Sequence, residues 1–282
     1  MIKTDILIIG AGPTGLFAVF EAGLLQLKCH IIDALPMPGG QLSELYPKKP
    51  IYDIPGFPEV LAGDLVNNLM EQIKPFSPGF TLGERAEKIE KQSDGSFIVT
   101  TDKGTAHHTK VVAIAGGLGS FEPKKPPIEG IESWEDKGVS YMIKDPEVYR
   151  NKKVLIAGGG DSALDWTIFL ADVASEVTLV HRRSEFRGAL DSVEKVQALK
   201  NSAKINLITP AEVIGLAGDT QLNKAFIQKV GEEAPIELSV DAFIPLFGLS
   251  PKLGPIGAWG LEIEKNAIVV DNTLDYMTNI PG

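Results

Sequence analysis

The sequence has little cysteine and no long apolar segment. Its 282 residues include one cysteine, Cys29, so the chain cannot form an internal disulfide or a cysteine-rich metal site. We expect Cys29 to be a buried small apolar residue. No apolar run approaches the roughly 18–20 residues that span a bilayer, and Asp5 interrupts the first apolar run too early for a signal peptide. We therefore predict a cytoplasmic protein that makes no use of a membrane.

Positive charge is also scarce. The chain has 27 Lys and Arg against 37 Asp and Glu, a formal net charge of −10, which disfavours sequence-independent binding of nucleic acid. An anionic ligand must therefore meet a local cluster of cations. The length and an apolar content of 44% allow a large core and indicate two domains rather than one.

A first βαβ unit is predicted at the start of the chain. An apolar strand at 6–9 is followed by Gly10, Gly12 and Gly15 in the GxGxxG pattern, then by an apolar helix and a strand CHIID that ends in Asp33. The glycines permit a tight turn and a close approach of a pyrophosphate to the helix N-terminus. Asp33 stands where a ribose hydroxyl is held, and its carboxylate repels a 2′-phosphate.

A second βαβ unit repeats this pattern. The strand KVLIA is followed by Gly158, Gly160 and Ala163, a GxGxxA variant, and by the helical segment ALDWTIFLADVA. We expect Asp161 and Ser162, at the start of this helix, to contact the bound dinucleotide.

The two units differ at the end of their second strand. His181 follows Gly158 at the same spacing at which Asp33 follows Gly10, and it opens a basic cluster with Arg182, Arg183 and, four residues on, Arg187. Since arginine binds phosphate through a planar fork, the second unit is expected to prefer NADPH over NADH. An acidic site beside a basic one predicts two different dinucleotides, and FAD with NADP(H) fit best.

Two apolar strands that run into glycines and prolines bracket the second unit: VVAIAGGLGSFEPKKP at 111–126 and VDAFIPLFGLSPKLGP at 240–255. We predict two Rossmann-like domains of α/β class with three-layer ββα character, the second inserted into the first. The expected limits are 1–117 and 245–282 for the FAD-binding domain and 118–244 for the NADPH-binding domain. Short alternating strands over 86–115 predict a β-meander that returns to the first domain, with His107 and His108 as a solvated pair at a polar strand edge.

The chain resembles the two-dinucleotide flavoproteins of the thioredoxin-reductase type over essentially its whole length. Within that group it is similar to the ferredoxin–NADP reductases. The segments that carry this similarity are PGGQL at 38–42, ELYPKKPIYDIPGFP at 44–58, GGGDSALDW at 158–166, HRRSEFR at 181–187 and GLSPKLGPIGAWGLEIEKNAIVV at 248–270.

The resemblance implies a set of side chains that contact FAD. Tyr46 is expected to stack on the isoalloxazine, a flat apolar surface that favours an aromatic partner. It also implies a homodimer. The implied FAD-contacting residues are Thr14, Asp33, Gln41, Tyr46, Ala86 and Phe121.

One departure from thioredoxin reductase bears on the electron acceptor. The Cys-x-x-Cys of that enzyme is absent, and VSYMIKDPEVYRNKKV occupies the matching stretch. Electrons must therefore pass directly from the flavin to an external acceptor, expected to be ferredoxin or a similar small carrier. Because ferredoxins are acidic, a basic patch is needed for docking, and the candidates are Lys48 with Lys49 and Lys124 with Lys125.

Two alternatives stay open on sequence alone: another NADPH-dependent flavoprotein, such as a monooxygenase or quinone reductase, and a non-catalytic nucleotide-binding fragment. The sequence stops at DYMTNIPG, where relatives continue with a strand, a Gly-Asp turn that contacts the flavin and a helix. We therefore expect a truncated form that retains FAD weakly.

Overall fold

The computed structural model describes residues 1–117, 119, 122–250, 252–271 and 275–282. The chain divides into two compact units. The first unit consists of Met1–Phe121 and Pro251–Gly282, and the second consists of Glu122–Ser250. The second unit therefore lies, in sequence, between the two segments of the first.

Short strands outnumber helices in the described part of the chain. The strands are β1 (Ile2–Lys3), β2 (Ile6–Ile9), β3 (Cys29–Asp33), β4 (Pro50–Ile51), β5 (Val60–Leu61), β6 (Gly79–Leu82), β7 (Ala86–Lys91), β8 (Phe97–Thr101), β9 (Ala106–Thr109), β10 (Val111–Ile114), β11 (Glu122–Pro123), β12 (Lys153–Ala157), β13 (Glu176–Val180), β14 (Asn206–Ile208), β15 (Ala211–Gly218), β16 (Leu222–Lys229), β17 (Ile236–Ser239), β18 (Ala242–Pro245), β19 (Leu249–Ser250), β20 (Ile263–Glu264) and β21 (Ala267–Ile268). The α-helices are α1 (Pro13–Leu24), α2 (Gln41–Glu44), α3 (Ala62–Ile73), α4 (Asp161–Leu170) and α5 (Leu190–Asn201), with 3₁₀ turns at Lys74–Phe76, Ile131–Trp134, Pro146–Tyr149 and Gly254–Ala258.

The first unit is built in three layers around a parallel sheet of order β10-β2-β3-β6. Ile8 and Ile31 face α1 and α3, and Leu7 and Ile32 face the opposite side, where the second sheet lies. Because both faces of the parallel strands are covered, β2 and β10 are apolar along their whole length. The predicted ββα layering is confirmed.

The second sheet of this unit has the order β1-β9-β8-β7. It contains the predicted meander, but the predicted strand TAHHTKVVAIA divides at Lys110 into β9, which stays in the meander, and β10, which joins the parallel sheet. The hydroxyl of Thr109 donates to the carbonyl oxygens of Asp5 and Val111 at 3.0 and 2.9 Å, and these bonds hold the chain where it changes sheets.

A buried histidine pair joins the two sheets. The Thr81 hydroxyl lies 2.8 Å from Nε2 of His30 and 3.0 Å from Nε2 of His107, and the two rings are 4.9 Å apart. His107 is fully buried, so the predicted solvated pair is wrong for this residue. The reason is that β9 turns His107 inward, onto β3 and β6 of the parallel sheet.

The second unit repeats the arrangement. Its parallel sheet has the order β14-β13-β12-β18, and its antiparallel sheet has the order β15-β16-β17. Leu155, Val180 and Phe243 of the first sheet pack with Ala225 and Ile227 of the second. Helix α4 packs on β12 and β13, and α5 packs on α4.

The two ends of the second unit are paired with each other. Strands β11 and β19 are antiparallel, with Glu122 opposite Ser250 and Pro123 opposite Leu249. The remaining segment of the first unit returns to its sheets: the Trp259 indole N–H donates to the carbonyl of Glu87 at 3.1 Å.

Candidate functional site

The turn between β2 and α1 is shaped by its three glycines. Gly10 has φ +112°, in the region that glycine adopts readily, and a Cβ on Gly15 would overlap the carbonyl oxygen of Gly10. No protein atom lies within 4 Å of a Cβ placed on Gly12. The outer glycines therefore allow helix and strand to pack closely, while the middle glycine leaves open space that a pyrophosphate fits.

Asp33 ties the end of β3 to this turn. One carboxylate oxygen accepts from the backbone N–H of Ala11 at 2.6 Å, and the other accepts from that of Leu35 at 2.8 Å. The negative charge is thus fixed beside the start of α1, and each oxygen keeps a lone pair for a ribose hydroxyl. A 2′-phosphate at this place would meet a carboxylate that the turn itself requires.

The PGGQL loop lies against the same turn. The N–H of Gly39 donates to the carbonyl of Ala11 at 2.8 Å, and a Cβ on Gly40 would lie 3.3 Å from the Cα of Gly12. Gln41 begins α2 immediately afterwards, which brings this predicted FAD-contacting residue to the edge of the turn. The sequence motif is therefore explained by a close approach between two backbones.

The other predicted FAD-contacting residues lie at different places in the first unit. Thr14 is exposed in the first turn of α1, and Tyr46 is half-buried just after α2. Burial, and next the carboxylate of Asp53, raise the pKa of Tyr46. Ala86 is buried at the start of β7, and Phe121 lies outside the described residues. Their contacts with FAD remain predictions.

The second turn, between β12 and α4, has the same construction. A Cβ on Gly158 would lie 2.7 Å from both the Ala163 side chain and the carbonyl oxygen of Leu246, whereas nothing lies within 4 Å of a Cβ on Gly160. Ser162 is exposed at the start of α4. The middle position is again open, so a second dinucleotide pyrophosphate fits here.

A loop that carries the arginines closes over this second turn. The N–H of Arg187 donates to the carbonyl of Gly159 at 2.7 Å, and the carboxylate of Asp161 accepts from the N–H of Ala189 at 2.7 Å. These bonds hold Arg187 beside the turn. The sequence predicted Asp161 as a ligand contact, and its bond to the loop was missed because it joins residues 28 positions apart.

The side chains of the basic cluster divide into one buried ring and three exposed cations. His181 is buried, its Nε2 lies 3.0 Å from the carbonyl of Glu185, and its ring stacks on Phe186 at 5.1 Å. Burial is the main cause that lowers the pKa of His181, so the ring is neutral at pH 7 and supports the loop. Direct contact of this ring with a phosphate remains a prediction.

The three arginines of the cluster, Arg182, Arg183 and Arg187, are exposed. Within the part of the chain that the structure describes, their guanidinium groups form no ion pair or hydrogen bond. Three cations of one loop that have no carboxylate partner among the described residues, in a chain of net charge −10, favour an anionic ligand.

Other chemistry is limited in the described residues. Cys29 is buried, as expected, and burial followed by the charge of Asp5 raises the pKa of its thiol. No group of three or more His, Cys, Asp or Glu side chains that could hold a metal ion occurs in the described ranges. No helix among the described residues is long and apolar enough to cross a membrane.

Two glycine turns with opposite charges at their strand ends define a protein that binds two dinucleotides, as flavoprotein oxidoreductases do. Residues 4–282 match the family described as pyridine nucleotide-disulphide oxidoreductase. The chain belongs to that family.

Named relatives lie close in sequence. Ferredoxin–NADP reductase 1 of Christiangramia forsetii is 76% identical over 283 residues, which cover 100% of this chain and 80% of that protein. Ferredoxin–NADP reductase of Flavobacterium psychrophilum is 69% identical over the same coverage. Among solved structures, thioredoxin reductase of Lactococcus lactis has a TM-score of 0.84 at 26% identity, covering 99% of this chain and 88% of that one. The predicted resemblance is confirmed.

Proposed function

We propose that this protein is a ferredoxin–NADP(+) reductase that binds FAD at the first glycine turn and NADP(H) at the second. The observation that carries the proposal is the identity of 69–76% to proteins of that name over the whole chain. The opposite charges at the ends of β3 and β13 support the assignment of each dinucleotide to its turn. The family relationship and the lack of a second cysteine support an acceptor outside the chain.

The protein's own residues bind and orient the cofactors. Gly12 and Gly160 leave space for the two pyrophosphates, Asp33 would hold an FAD ribose hydroxyl, and Arg182 with Arg187 would hold the 2′-phosphate of NADPH. A bound flavin supplies hydride uptake from NADPH and release of electrons one at a time. We propose that a rotation about the two connections between the units brings the nicotinamide to the flavin.

The coenzyme assignment is tested by replacing one arginine. Arg182→Ala should lower kcat/KM for NADPH about tenfold, the effect of one partly exposed charge-assisted contact, and leave NADH within about twofold. Arg150→Ala is a matched control, because Arg150 is an exposed arginine of the same unit that pairs with Glu147 at 2.6 Å. Equal losses for NADPH and NADH would refute the assignment.

The whole function is tested with the purified protein and excess FAD. NADPH should bleach the flavin band near-stoichiometrically under anaerobic conditions, and ferredoxin should then accelerate the reduction of cytochrome c. Rapid oxidation of NADPH by oxygen or a quinone, with no effect of ferredoxin, would favour the alternative flavoprotein activities. A flavin band that NADPH fails to bleach, although excess FAD is present, would contradict the reductase assignment.

For the docking of ferredoxin we propose Lys48 and Lys49. Lys49 lies over the ring of Tyr46 at 5.7 Å, and Tyr46 is the proposed flavin partner, so this pair stands next to the cofactor that gives up the electrons. Lys125 of the other candidate pair lies over the ring of Tyr141 at 5.5 Å.

The docking proposal predicts a selective change in KM. Lys48→Glu combined with Lys49→Glu should raise KM for ferredoxin and leave ferricyanide reduction unchanged, whereas Lys124→Glu should change neither. The reverse pattern would place docking at the other pair.

We also propose that the protein works in the cytoplasm as a homodimer, and light scattering coupled to size exclusion gives its mass in solution.

A further inference from the structure

Strand β7 of the first unit begins with a β-bulge. Ala86 is the register partner of Thr101 and Lys88 is the register partner of Thr100, so Glu87 is an extra residue without a partner in the ladder. Bulges bend a strand, redirect the groups beside them and are frequent next to binding sites. This bulge comes one residue after Ala86, which the family resemblance implies as an FAD contact.

The start of β7 lies against the first glycine turn and the end of β3. The side chain of Ala86 is buried and packs in one cluster with Ile9, the last residue of β2, and Ile32. Two residues before Ala86, the N–H of Glu84 donates to the carbonyl of Asp33 at 3.1 Å. The direction of the chain at the start of β7 therefore affects the edge of the site where Asp33 would hold a ribose hydroxyl.

Trp259 binds the bulge from outside the sheet. Its indole N–H donates to the carbonyl of Glu87 at 3.1 Å, and its ring packs on the cluster that contains Ala86. The carbonyl belongs to the residue that the ladder leaves without a register partner. Because a carbonyl that has a hydrogen-bond donor favours one conformation of the chain around it, Trp259 holds the bulge in place.

The segment that carries Trp259 has hydrogen bonds of its own. The side-chain amide of Asn279 donates to the carbonyl of Gly260 at 3.0 Å and accepts from the N–H of Glu262 at 3.0 Å. The 3₁₀ turn Gly254–Ala258, which precedes Trp259, packs on β7. The position of the indole is therefore set by the main chain around it.

We propose that Trp259 is a positioning residue for the adenine end of FAD. The inference rests on the proposed function, because it concerns the FAD of the first turn. An adenosine whose ribose is held by Asp33 has its purine beside the start of β7, where the main chain of Ala86 can bind the purine edge. Trp259, 172 positions after Glu87, fixes the bulge and thereby the direction of those main-chain groups.

Titrations with FAD and with 1,N6-etheno-FAD test this role. The etheno bridge blocks N1 and N6 of the purine and leaves the ribose, the pyrophosphate and the flavin unchanged. Trp259→Phe keeps an aromatic ring and removes the N–H donor. This substitution should raise Kd for FAD about fivefold, as expected when one hydrogen-bonded contact is held less firmly, and should change Kd for etheno-FAD by less than about twofold.

Trp134→Phe is the matched control for these titrations. Trp134 is a partly buried tryptophan at the end of a 3₁₀ turn in the second unit, so its substitution should leave both Kd values unchanged. Equal losses of affinity for FAD and etheno-FAD in Trp259→Phe would show that Trp259 stabilises the unit without positioning the purine, and would overturn the inference. Wild-type affinity of Trp259→Phe for FAD would overturn it as well.

Hydrogen exchange of the flavin-free protein gives a second measurement. Peptides that span residues 84–91 should exchange about fivefold faster in Trp259→Phe than in the wild type, because the bulge loses its hydrogen-bond donor. Peptides of β12, in the second unit, should exchange at the wild-type rate. Unchanged exchange over 84–91 would show that the bond from Trp259 does not hold the bulge.

The wild-type titrations separate this inference from the proposed function. Equal affinity of the wild type for FAD and etheno-FAD would contradict the contact with the purine edge and would leave FAD at the first turn. If the wild type binds neither flavin, the assignment of FAD to the first turn is wrong, and the role of Trp259 is wrong with it.

Discussion

The buried histidine pair predicts a loss of stability in mild acid. Burial, and next the nearby ring of His107, lower the pKa of His30 from 6.5 to about 4. Between these two values the unfolded chain takes up a proton at His30 and the folded chain does not. Stability is therefore fully present above pH 6.5 and is lost as the pH falls toward 4. At pH 5 this difference corresponds to about 2 kcal/mol from His30 alone.

Hydrogen exchange measured by mass spectrometry tests this prediction on the strands concerned. Peptides that span β3 and β9, corrected for the intrinsic dependence of exchange on pH, should lose about thirtyfold in protection between pH 7 and pH 5. His30→Gln removes the titrating ring and offers the Thr81 hydroxyl an amide partner, so this variant should lose much less. The loss that remains belongs to His107, whose pKa burial also lowers.

His108→Gln is the control for this experiment. His108 lies on β9, and its Nε2 is 2.9 Å from the Ser96 hydroxyl, so the substitution leaves the buried pair intact and the loss in acid should persist. The same loss of protection in the wild type and in His30→Gln would refute the reasoning. So would an NMR titration in which the His30 ring protonates near pH 6.5.

Three further predictions concern the two turns. Gly12→Ala should abolish FAD retention and change the unfolding free energy by no more than about 0.5 kcal/mol, whereas Gly15→Ala should lower it by about 3 kcal/mol, because only the Cβ on Gly15 meets protein atoms. The absorbance of bound flavin measures the first effect and urea unfolding the second. Equal destabilisation by the two substitutions would contradict this prediction. Asp33→Ala removes two hydrogen bonds from backbone N–H groups. It should lower the unfolding free energy by about 2–3 kcal/mol and should also lower the affinity for FAD. A loss of NADPH affinity instead would mean that the two dinucleotides bind at the opposite turns. Asp161→Ala should weaken the binding of 2′,5′-ADP a few-fold, because it removes the hydrogen bond that holds the loop of Arg187. The far-UV circular dichroism spectrum should stay unchanged. Wild-type affinity for 2′,5′-ADP would show that the loop does not need this bond.

The parts of the site that the sequence predicted are those built from neighbouring residues. A strand, a glycine turn and a helix follow one another in the chain, so Gly10, Gly12 and Gly15 define a turn before any tertiary contact is known. The charge at each strand end was predictable for the same reason. The role of Gly40 was not, because it depends on the approach of a separate loop to Gly12.

The features that the sequence did not predict depend on long-range pairing. The burial of His107 follows from the position of β9 over β3 and β6, and no local pattern indicates that position. Lys229 lines a cavity with Arg182 and Arg183 because β15 starts beside His181, where the N–H of Ala211 donates to the His181 carbonyl at 2.9 Å. Propensity and periodicity describe single strands, whereas these contacts depend on which strands meet.

The pairing of β11 with β19 has a consequence for the order of folding. As the chain is synthesised, the second unit is complete once Ser250 has emerged, before the segment that places Trp259 against Glu87. Joining distant parts of a flexible chain across about 130 residues costs about 4 kcal/mol in entropy. Once the second unit has folded, its paired ends hold the flanking chain together, and Gly119 forms a bridge to Lys252 just outside them. The entropic cost of bringing the two segments of the first unit together is then close to that of closing a short hairpin turn.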